Sequence, residues 1–170
     1  SGLLVIAKTN DAFFYLKKLF QDKTIQQSYL TLVHGTPKKA HDTINLPMGR
    51  VGMKRTTRLK NGKLKDKKEA ITEYRLVKSY AHFSLIEVSP KTGRTHQIRV
   101  HMHAIGHPVC GDPVYGPRRL SPPPHLSRLF LHASRLIFTT PSGRGLALEC
   151  DLPPELSHVL EGLDKNEVIS

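Results

Sequence analysis

Short apolar runs of strand length alternate in the first part of the chain with one segment of helical spacing. The run Leu3–Ala7 predicts a buried strand, and Ser28–Val33 predicts the next strand. Between them, Asn10 and Asp11 offer an N-cap and a first-turn acid for a helix that continues to about Phe20. Apolar and basic side chains fall on opposite faces of this segment, as in an amphipathic helix.

The middle of the chain predicts a β-hairpin followed by a second helix. Thr43–Leu46 suits a short strand, while Ala70–Val77 and Phe83–Val88 suit two strands joined by a polar connection. Thr95–Ile105 has apolar residues at helical spacing, and Gly106 is a typical residue for ending a helix.

The last third predicts two strands and a terminal helix. Leu129–Thr139 and Leu146–Leu152 read as strands, and the pair Pro153-Pro154 suits the first turn of a helix. Many strands with a few helices between them indicate a mixed α+β fold. We therefore predict one domain over residues 1–163, followed by a frayed C-terminal tail at residues 164–170.

Length and composition restrict the class of protein. The chain has 170 residues, enough for one domain with a substantial core. It contains no apolar run of bilayer-spanning length and no secretory signal pattern. Its two cysteines make no disulfide framework and suit a reducing compartment. We expect a soluble, cytoplasmic protein with no membrane partner.

The charge points to a polyanionic partner. Lys and Arg number 26 against 14 Asp and Glu, a formal net charge of +12. The segment Arg50–Lys68 alone holds nine basic residues and one acid, Asp66. A solvated loop could carry such charge for solubility, but with the whole chain this basic we favour nucleic-acid binding.

The densest cluster of polar groups is the run Lys91–Gly116, with two arginines and four histidines. Arg99 stands among apolar neighbours and, on a helix opened by Thr95, would share its face. Such an arginine either pairs with a carboxylate or phosphate or extends to the surface, and the spacing alone leaves both open. The histidines lack the spacing of a zinc site, so we expect no metal and do not favour a metal-dependent nuclease.

Tyr29 is a candidate of a different kind. It alternates with Leu30 and Leu32 and therefore faces away from them. A strand tyrosine is usually a packing residue, although its ring can also stack on a base and its phenol can act as an acid or base. The residues alone favour packing.

Six segments, taken together, resemble the RluA-type pseudouridine synthases from Ser1 to about Leu160. They are SGLLVIAKT (Ser1–Thr9), SYLTLVHG (Ser28–Gly35), AITEYRLV (Ala70–Val77), TGRTHQIRVH (Thr92–His101), GHPVCGDPVYG (Gly106–Gly116) and LFLHASRLIF (Leu129–Phe138). The resemblance implies an enzyme that isomerises uridine to pseudouridine in RNA without cofactor or metal. It also implies the pseudouridine synthase fold, a mixed, largely antiparallel sheet with flanking helices around a central RNA-binding cleft.

The resemblance also assigns roles to residues. It places Tyr29 against the target uracil, where it is proposed as a base, Arg99 as the partner of the nucleophilic aspartate, and Leu131 as an apolar wall of the active site. Gly111 and Asp112 look structural or cleft-forming. Together with the charge pattern, it suggests these RNA-binding residues: Arg50, Lys54, Arg55, Arg58, Lys60, Arg94, His96, Arg118 and Arg119. Gln27 departs from the family, which often has lysine two residues before the tyrosine.

The nucleophilic aspartate of the family precedes a Thr-Ser-Gly, and this chain begins at Ser1-Gly2. We therefore expect a fragment whose nucleophile lies upstream, with Arg99 left uncompensated and Asp112 a poor substitute in its turn. The 170 residues alone should bind RNA weakly and not turn over. The alternative is a non-catalytic RNA-binding module or ribosome-assembly factor. We expect ribosomal rather than transfer RNA as partner, and a monomer.

Overall fold

The computed structural model describes residues 1–51, 54–57, 65–116, 119 and 121–167 of the chain. The helices are α1 (Asn10–Gln21), α2 (Gln97–Ala104) and α3 (Pro154–Glu167). The strands are β1 (Gln26–His34), β2 (His41–Asn45), β3 (Met48–Val51), β4 (Lys54–Thr56), β5 (Lys65–Lys68), β6 (Ile71–Ser79), β7 (Phe83–Pro90), β8 (Leu131–Thr139) and β9 (Gly145–Glu149). No helix in these ranges is long and apolar enough to cross a membrane.

The main sheet has six strands in the order β2-β6-β7-β1-β8-β9. All of its strand pairs are antiparallel, and the parallel pairing in the described ranges is a single bridge between Gly2 and Ala133. The α+β architecture and the largely antiparallel sheet predicted from the sequence are confirmed.

The two faces of the main sheet carry different helices, because successive side chains of a strand point to opposite faces. On one face, Leu32 packs with Phe130 and with Leu156 and Val159 of α3. On the other face, Val33 and its neighbours pack with α2 residues, and Tyr29 and Leu131 adjoin this second cluster. The candidate residues therefore lie on the α2 side of the sheet.

The predicted strand at Leu3–Ala7 is wrong. Leu4 and Ile6 are 81% and 74% exposed. Backbone pairing at this end reaches only to Leu3, whose N–H donates to the Ala133 carbonyl at 2.9 Å. A strand requires hydrogen-bond partners along its length, and apolar character alone does not supply them.

Three further boundaries differ from the prediction. Thr9, not Asn10, caps α1 and accepts a hydrogen bond from the Ala12 amide at 3.2 Å. The basic segment is not simply a loop, since β3, β4 and β5 form a second sheet in the order β4-β3-β5. The chain remains helical past residue 164 as far as Glu167, where the sequence predicted a frayed tail.

Candidate functional site

A buried glutamine holds the turn that leads into α2. The Gln97 side-chain oxygen accepts hydrogen bonds from the Thr92 hydroxyl at 2.7 Å and the Arg94 amide at 3.1 Å. Its amide nitrogen donates to the Ile71 carbonyl and the Thr72 hydroxyl, both at 2.9 Å. All the polar atoms of this side chain are thus engaged, which ties the start of α2 to β6.

The helix begins at Gln97, two residues later than the sequence predicted. His96 occupies the N-cap position with a left-handed backbone (φ 59°), and its side chain makes no capping hydrogen bond. Thr95 therefore lies outside the helix and does not share a helical face with Arg99.

Arg99 is paired within the chain, contrary to the prediction that it is uncompensated. Its Nε and Nη2 atoms donate to Oδ2 and Oδ1 of Asp112, each at 2.7 Å. The side chains are 12% and 0% exposed, respectively. A two-point contact of this kind fixes the plane of the guanidinium as well as its position.

Asp112 is held from its other side by the turn that follows it. Its Oδ1 accepts hydrogen bonds from the amides of Val114 at 2.8 Å and Tyr115 at 3.0 Å. Burial alone would raise the pKa of Asp112, but the Arg99 and amide hydrogen bonds and the Arg99 charge together hold it below its usual value. Asp112 is therefore a carboxylate that orients Arg99 and not a free nucleophile.

Tyr115 connects this pair to His96. The Arg99 guanidinium lies over the Tyr115 ring, 5.0 Å from its centroid, and a hydrogen bond of 3.1 Å joins the Tyr115 hydroxyl to His96 Nδ1. Desolvation, and then the charges of Arg99 and Arg55, lower the pKa of His96 despite the nearby Asp112 carboxylate. The lowered pKa favours the neutral form of His96, which lies close enough to both Arg99 and Arg55 to be affected by their charges.

Tyr29 and Leu131 lie together on the α2 side of the main sheet. Both pack against the apolar cluster that contains Ile98, the residue next to Arg99. The Tyr29 hydroxyl donates a hydrogen bond to Gln27 Oε1 at 3.1 Å, and burial raises the pKa of Tyr29. The structure thus brings Tyr29 and Leu131 to the apolar cluster to which the helix that carries Arg99 contributes Ile98.

Several of the predicted RNA-binding residues converge. Arg50, Arg55 and Arg94 line one cavity of about 360 Å³, together with Lys68. Lys54 is exposed on β4. Arg119 is also exposed, and it is far from these residues in the sequence. The predictions for Arg58, Lys60 and Arg118 lie outside the described residues.

The histidines of the segment Lys91–Gly116 contact separate partners. His101 is buried between the Thr72 hydroxyl at 2.9 Å and the Leu46 carbonyl at 3.0 Å. His107 contacts the His34 carbonyl at 2.9 Å. Within the described ranges, no three His, Cys, Asp or Glu side chains are grouped so that they could hold a metal ion.

Sequence reasoning missed three members of the site: Gln97, Asp112 as the partner of Arg99, and Tyr115. The spacing of Asp112 from Val114 and Tyr115 is a usable signal, because an aspartate side chain readily bonds the amides two and three residues ahead. Its pairing with Arg99, 13 residues earlier in the chain, depends on how α2 and the turn pack and has no such local signal.

The fold is thus an antiparallel α+β domain with a partly buried, oriented arginine and a cavity in which Arg50, Arg55, Lys68 and Arg94 outnumber the single acid Asp66, the charge balance of a polyanion-binding class of protein. The family model described as RNA pseudouridylate synthase matches residues 1–104. The chain belongs to that family, and its relatives place it among the RluA-type enzymes.

Two curated relatives and one solved structure illustrate the similarity. The chain is 44% identical over 164 residues to an uncharacterised RNA pseudouridine synthase of Chloroflexus aurantiacus, covering 96% of this chain and 50% of the relative. It is 41% identical over 173 residues to the ribosomal large subunit pseudouridine synthase D of Nitrosomonas europaea, covering 96% and 48%. The human RNA pseudouridylate synthase domain containing 1 superposes with a TM-score of 0.76 at 25% identity, covering 96% and 74%. The chain thus spans about half the length of these curated relatives.

Proposed function

We propose that this chain is the larger part of the catalytic domain of an RNA pseudouridine synthase acting on a uridine in structured ribosomal RNA. The observation that carries the proposal is the oriented Arg99: two hydrogen bonds fix it to Asp112, and Tyr29 and Leu131 pack against the apolar cluster that contains its neighbour Ile98. A fixed cation beside an aromatic and an apolar side chain suits a site for a planar base next to an anionic reaction partner.

The reaction requires one carbon–nitrogen bond to be exchanged for a carbon–carbon bond. The C1′–N1 bond of the uridine breaks, the uracil rotates, and a C1′–C5 bond forms while C5 loses a proton and N1 gains one. In our proposal the nucleophilic aspartate is contributed by sequence that precedes Ser1, and Arg99 orients it. Tyr29 stacks on the detached uracil and Leu131 closes the apolar side of the pocket.

The Arg99 guanidinium keeps hydrogen-bond donors for this second carboxylate. An arginine carries five N–H donors, and Asp112 takes two of them, which leaves three. Asp112 therefore supports the role of Arg99 instead of replacing the incoming aspartate. Because the guanidinium plane is already fixed, little side-chain entropy remains to be lost when the second carboxylate binds.

The basic cavity would bind the phosphates that flank the target. Arg50, Arg55 and Arg94 line it, and Arg55 is near enough to His96 to lower the pKa of that histidine, which places the cavity beside the Arg99 pair. Extruding a paired uridine costs on the order of a few kcal/mol, which phosphate contacts and base stacking offset.

The remaining parts of the proposal concern partners and setting. Ribosomal RNA is proposed over transfer RNA because the Nitrosomonas relative is a ribosomal large subunit enzyme by name. We further propose a cytoplasmic monomer that uses neither metal nor cofactor. The two cysteines and the strongly basic charge support this setting.

The test is an isomerisation assay on a longer polypeptide that includes the in-frame sequence encoded before Ser1. RNA labelled with tritium at C5 of uridine should release tritium to water, since C5 loses its hydrogen. Changing the upstream aspartate to Asn should abolish release, and Arg99→Lys, which keeps the charge but loses the two-point contact, should reduce it severely while RNA binding persists. Salt-dependent binding with no release from the longer protein would favour the non-catalytic module instead.

A further inference from the structure

The hydroxyl of Tyr29 has a specific neutral partner on its own strand. Residues 27 and 29 of β1 point to the same face, and the Tyr29 hydroxyl donates to Gln27 Oε1 at 3.1 Å. The pairing of β1 with β8 shifts register between Ser28 and Tyr29, but the extra residue, Ser134, lies on β8, so β1 keeps its alternation of faces through Gln27 and Tyr29. Both side chains are half-buried, so solvent competes only partly for this contact.

The chemistry of the partner decides which form of the tyrosine is favoured. A carbonyl oxygen that accepts a hydrogen bond from the hydroxyl stabilises the protonated phenol, whereas a cation at the same place would stabilise the phenolate. Burial acts in the same direction as the carbonyl and raises the pKa of Tyr29 above its ordinary value of 10.0.

We propose that Gln27 is a positioning residue that holds Tyr29 as a neutral, oriented phenol. The catalytic part of this inference rests on the function proposed above. In that setting Tyr29 serves the uracil as a stacking surface and hydrogen-bonding group and does not remove a proton. The C5 proton then leaves to the upstream carboxylate or to solvent water.

The test is a titration of Tyr29 in the 170-residue chain, without RNA. Tyrosines labelled with carbon-13 at the hydroxyl-bearing ring carbon report the phenolate fraction by NMR, and Tyr29→Phe assigns the Tyr29 signal. We expect Gln27→Arg, whose guanidinium stays charged through the pH range in which the phenol titrates, to increase the phenolate fraction about tenfold at a given pH, equivalent to a shift of about one pKa unit. Gln27→Glu should decrease the fraction, because a carboxylate disfavours a neighbouring phenolate.

Gln26 provides the matched control. It is the neighbouring residue of β1, is exposed, and points to the opposite face of the sheet. Gln26→Arg and Gln26→Glu therefore make the same changes of charge without facing the phenol, and each should leave the Tyr29 titration close to that of the unmodified chain. Circular dichroism at each pH restricts the comparison to folded protein.

Opposite shifts in the two Gln27 variants support a specific positioning contact, since a merely structural role predicts no dependence on the sign of the charge. Equal titration in the Gln27 and Gln26 variants overturns the proposal, as does a Tyr29 that ionises more readily than an ordinary tyrosine in the unmodified chain. The titration does not depend on turnover. If Tyr29 shows the expected pKa shifts but the longer protein releases no tritium, the proposed function is refuted and the Gln27–Tyr29 contact still stands.

Discussion

The substitution Asp112→Asn tests whether the buried pair stabilises the domain as well as orienting Arg99. It keeps the size of the side chain and one oxygen for the amides of Val114 and Tyr115. It removes the negative charge and sets an NH₂ group against the Arg99 guanidinium, so that donor faces donor. The arginine, 12% exposed, is left without a counter-charge.

The expected cost follows from this geometry. Removing one partner of a buried, hydrogen-bonded ion pair destabilises a protein by about 3–5 kcal/mol, and the partial exposure of Arg99 places the effect near the lower end, about 3 kcal/mol. For a domain of this size, that corresponds to a fall in Tm of roughly 6–12 °C. Urea unfolding followed by circular dichroism measures the free energy directly.

The pH dependence supplies a second, independent readout. The pKa of Asp112 in the folded chain lies below its ordinary value of 3.8. Its contribution is therefore fully present above pH 3.8 and is lost as the pH falls through the folded pKa. The difference in stability between the unmodified chain and Asp112→Asn should stay constant near neutrality and shrink in acid.

Asp164→Asn is the control, because it makes the same chemical change in an ion pair with Lys78 whose side chains are each 46% exposed. Exposed pairs contribute only about 0–1 kcal/mol. A loss for Asp112→Asn no larger than that for Asp164→Asn would refute the reasoning, and so would a loss that is unchanged in acid.

Three further predictions concern the turn, the buried histidine and the basic cavity. Gly111→Ala should lower the free energy of unfolding, measured in urea, by about 2 kcal/mol or more, because the φ of Gly111 is +70° and the new Cβ would lie 2.1 Å from the Arg128 carbonyl oxygen. Gly145→Ala is the control and should be nearly neutral, since a Cβ at Gly145 would meet open space. Desolvation lowers the pKa of His101 below 6.5, although the hydrogen bond to the Leu46 carbonyl acts in the opposite direction. The free energy of unfolding should therefore fall as the pH drops below 6.5, and it should fall less steeply in His101→Gln. Equal slopes of stability against pH in the two proteins would exclude His101 as the source. Arg55→Gln should reduce the salt dependence of RNA binding by about one unit in the slope of log K against log[salt], measured by fluorescence anisotropy, and an unchanged slope would remove Arg55 from the interface.

Much of the fold follows from local pattern in the sequence. Periodicity identified α1, α2 and most strands of the main sheet, because burial on one face imposes a repeat of about 3.6 or 2 residues that is visible without knowing the partner. The charge pattern likewise singled out the segment that contains Arg50 and Arg55, since clustered charge is a property of composition. The resemblance carried by the six segments, which include Tyr29, Arg99 and Leu131, pointed to the family to which the chain belongs.

Tertiary structure decided what depends on partners distant in the sequence. Leu3–Ala7 has the composition of a strand, yet hydrogen bonding to β8 stops at Leu3, and periodicity cannot count partners. The basic segment forms a second sheet because β3 pairs with both β4 and β5.

The pairing of Arg99 with Asp112 belongs to the same category. The sequence by itself determined that Arg99, if buried, needs an anion, because an unpaired buried charge is costly, but its spacing left open whether the side chain is buried or extends to the surface. Which carboxylate supplies it depends on the packing of α2 against the turn at Gly111 and Asp112, a distance set by the three-dimensional arrangement and not by spacing along the chain.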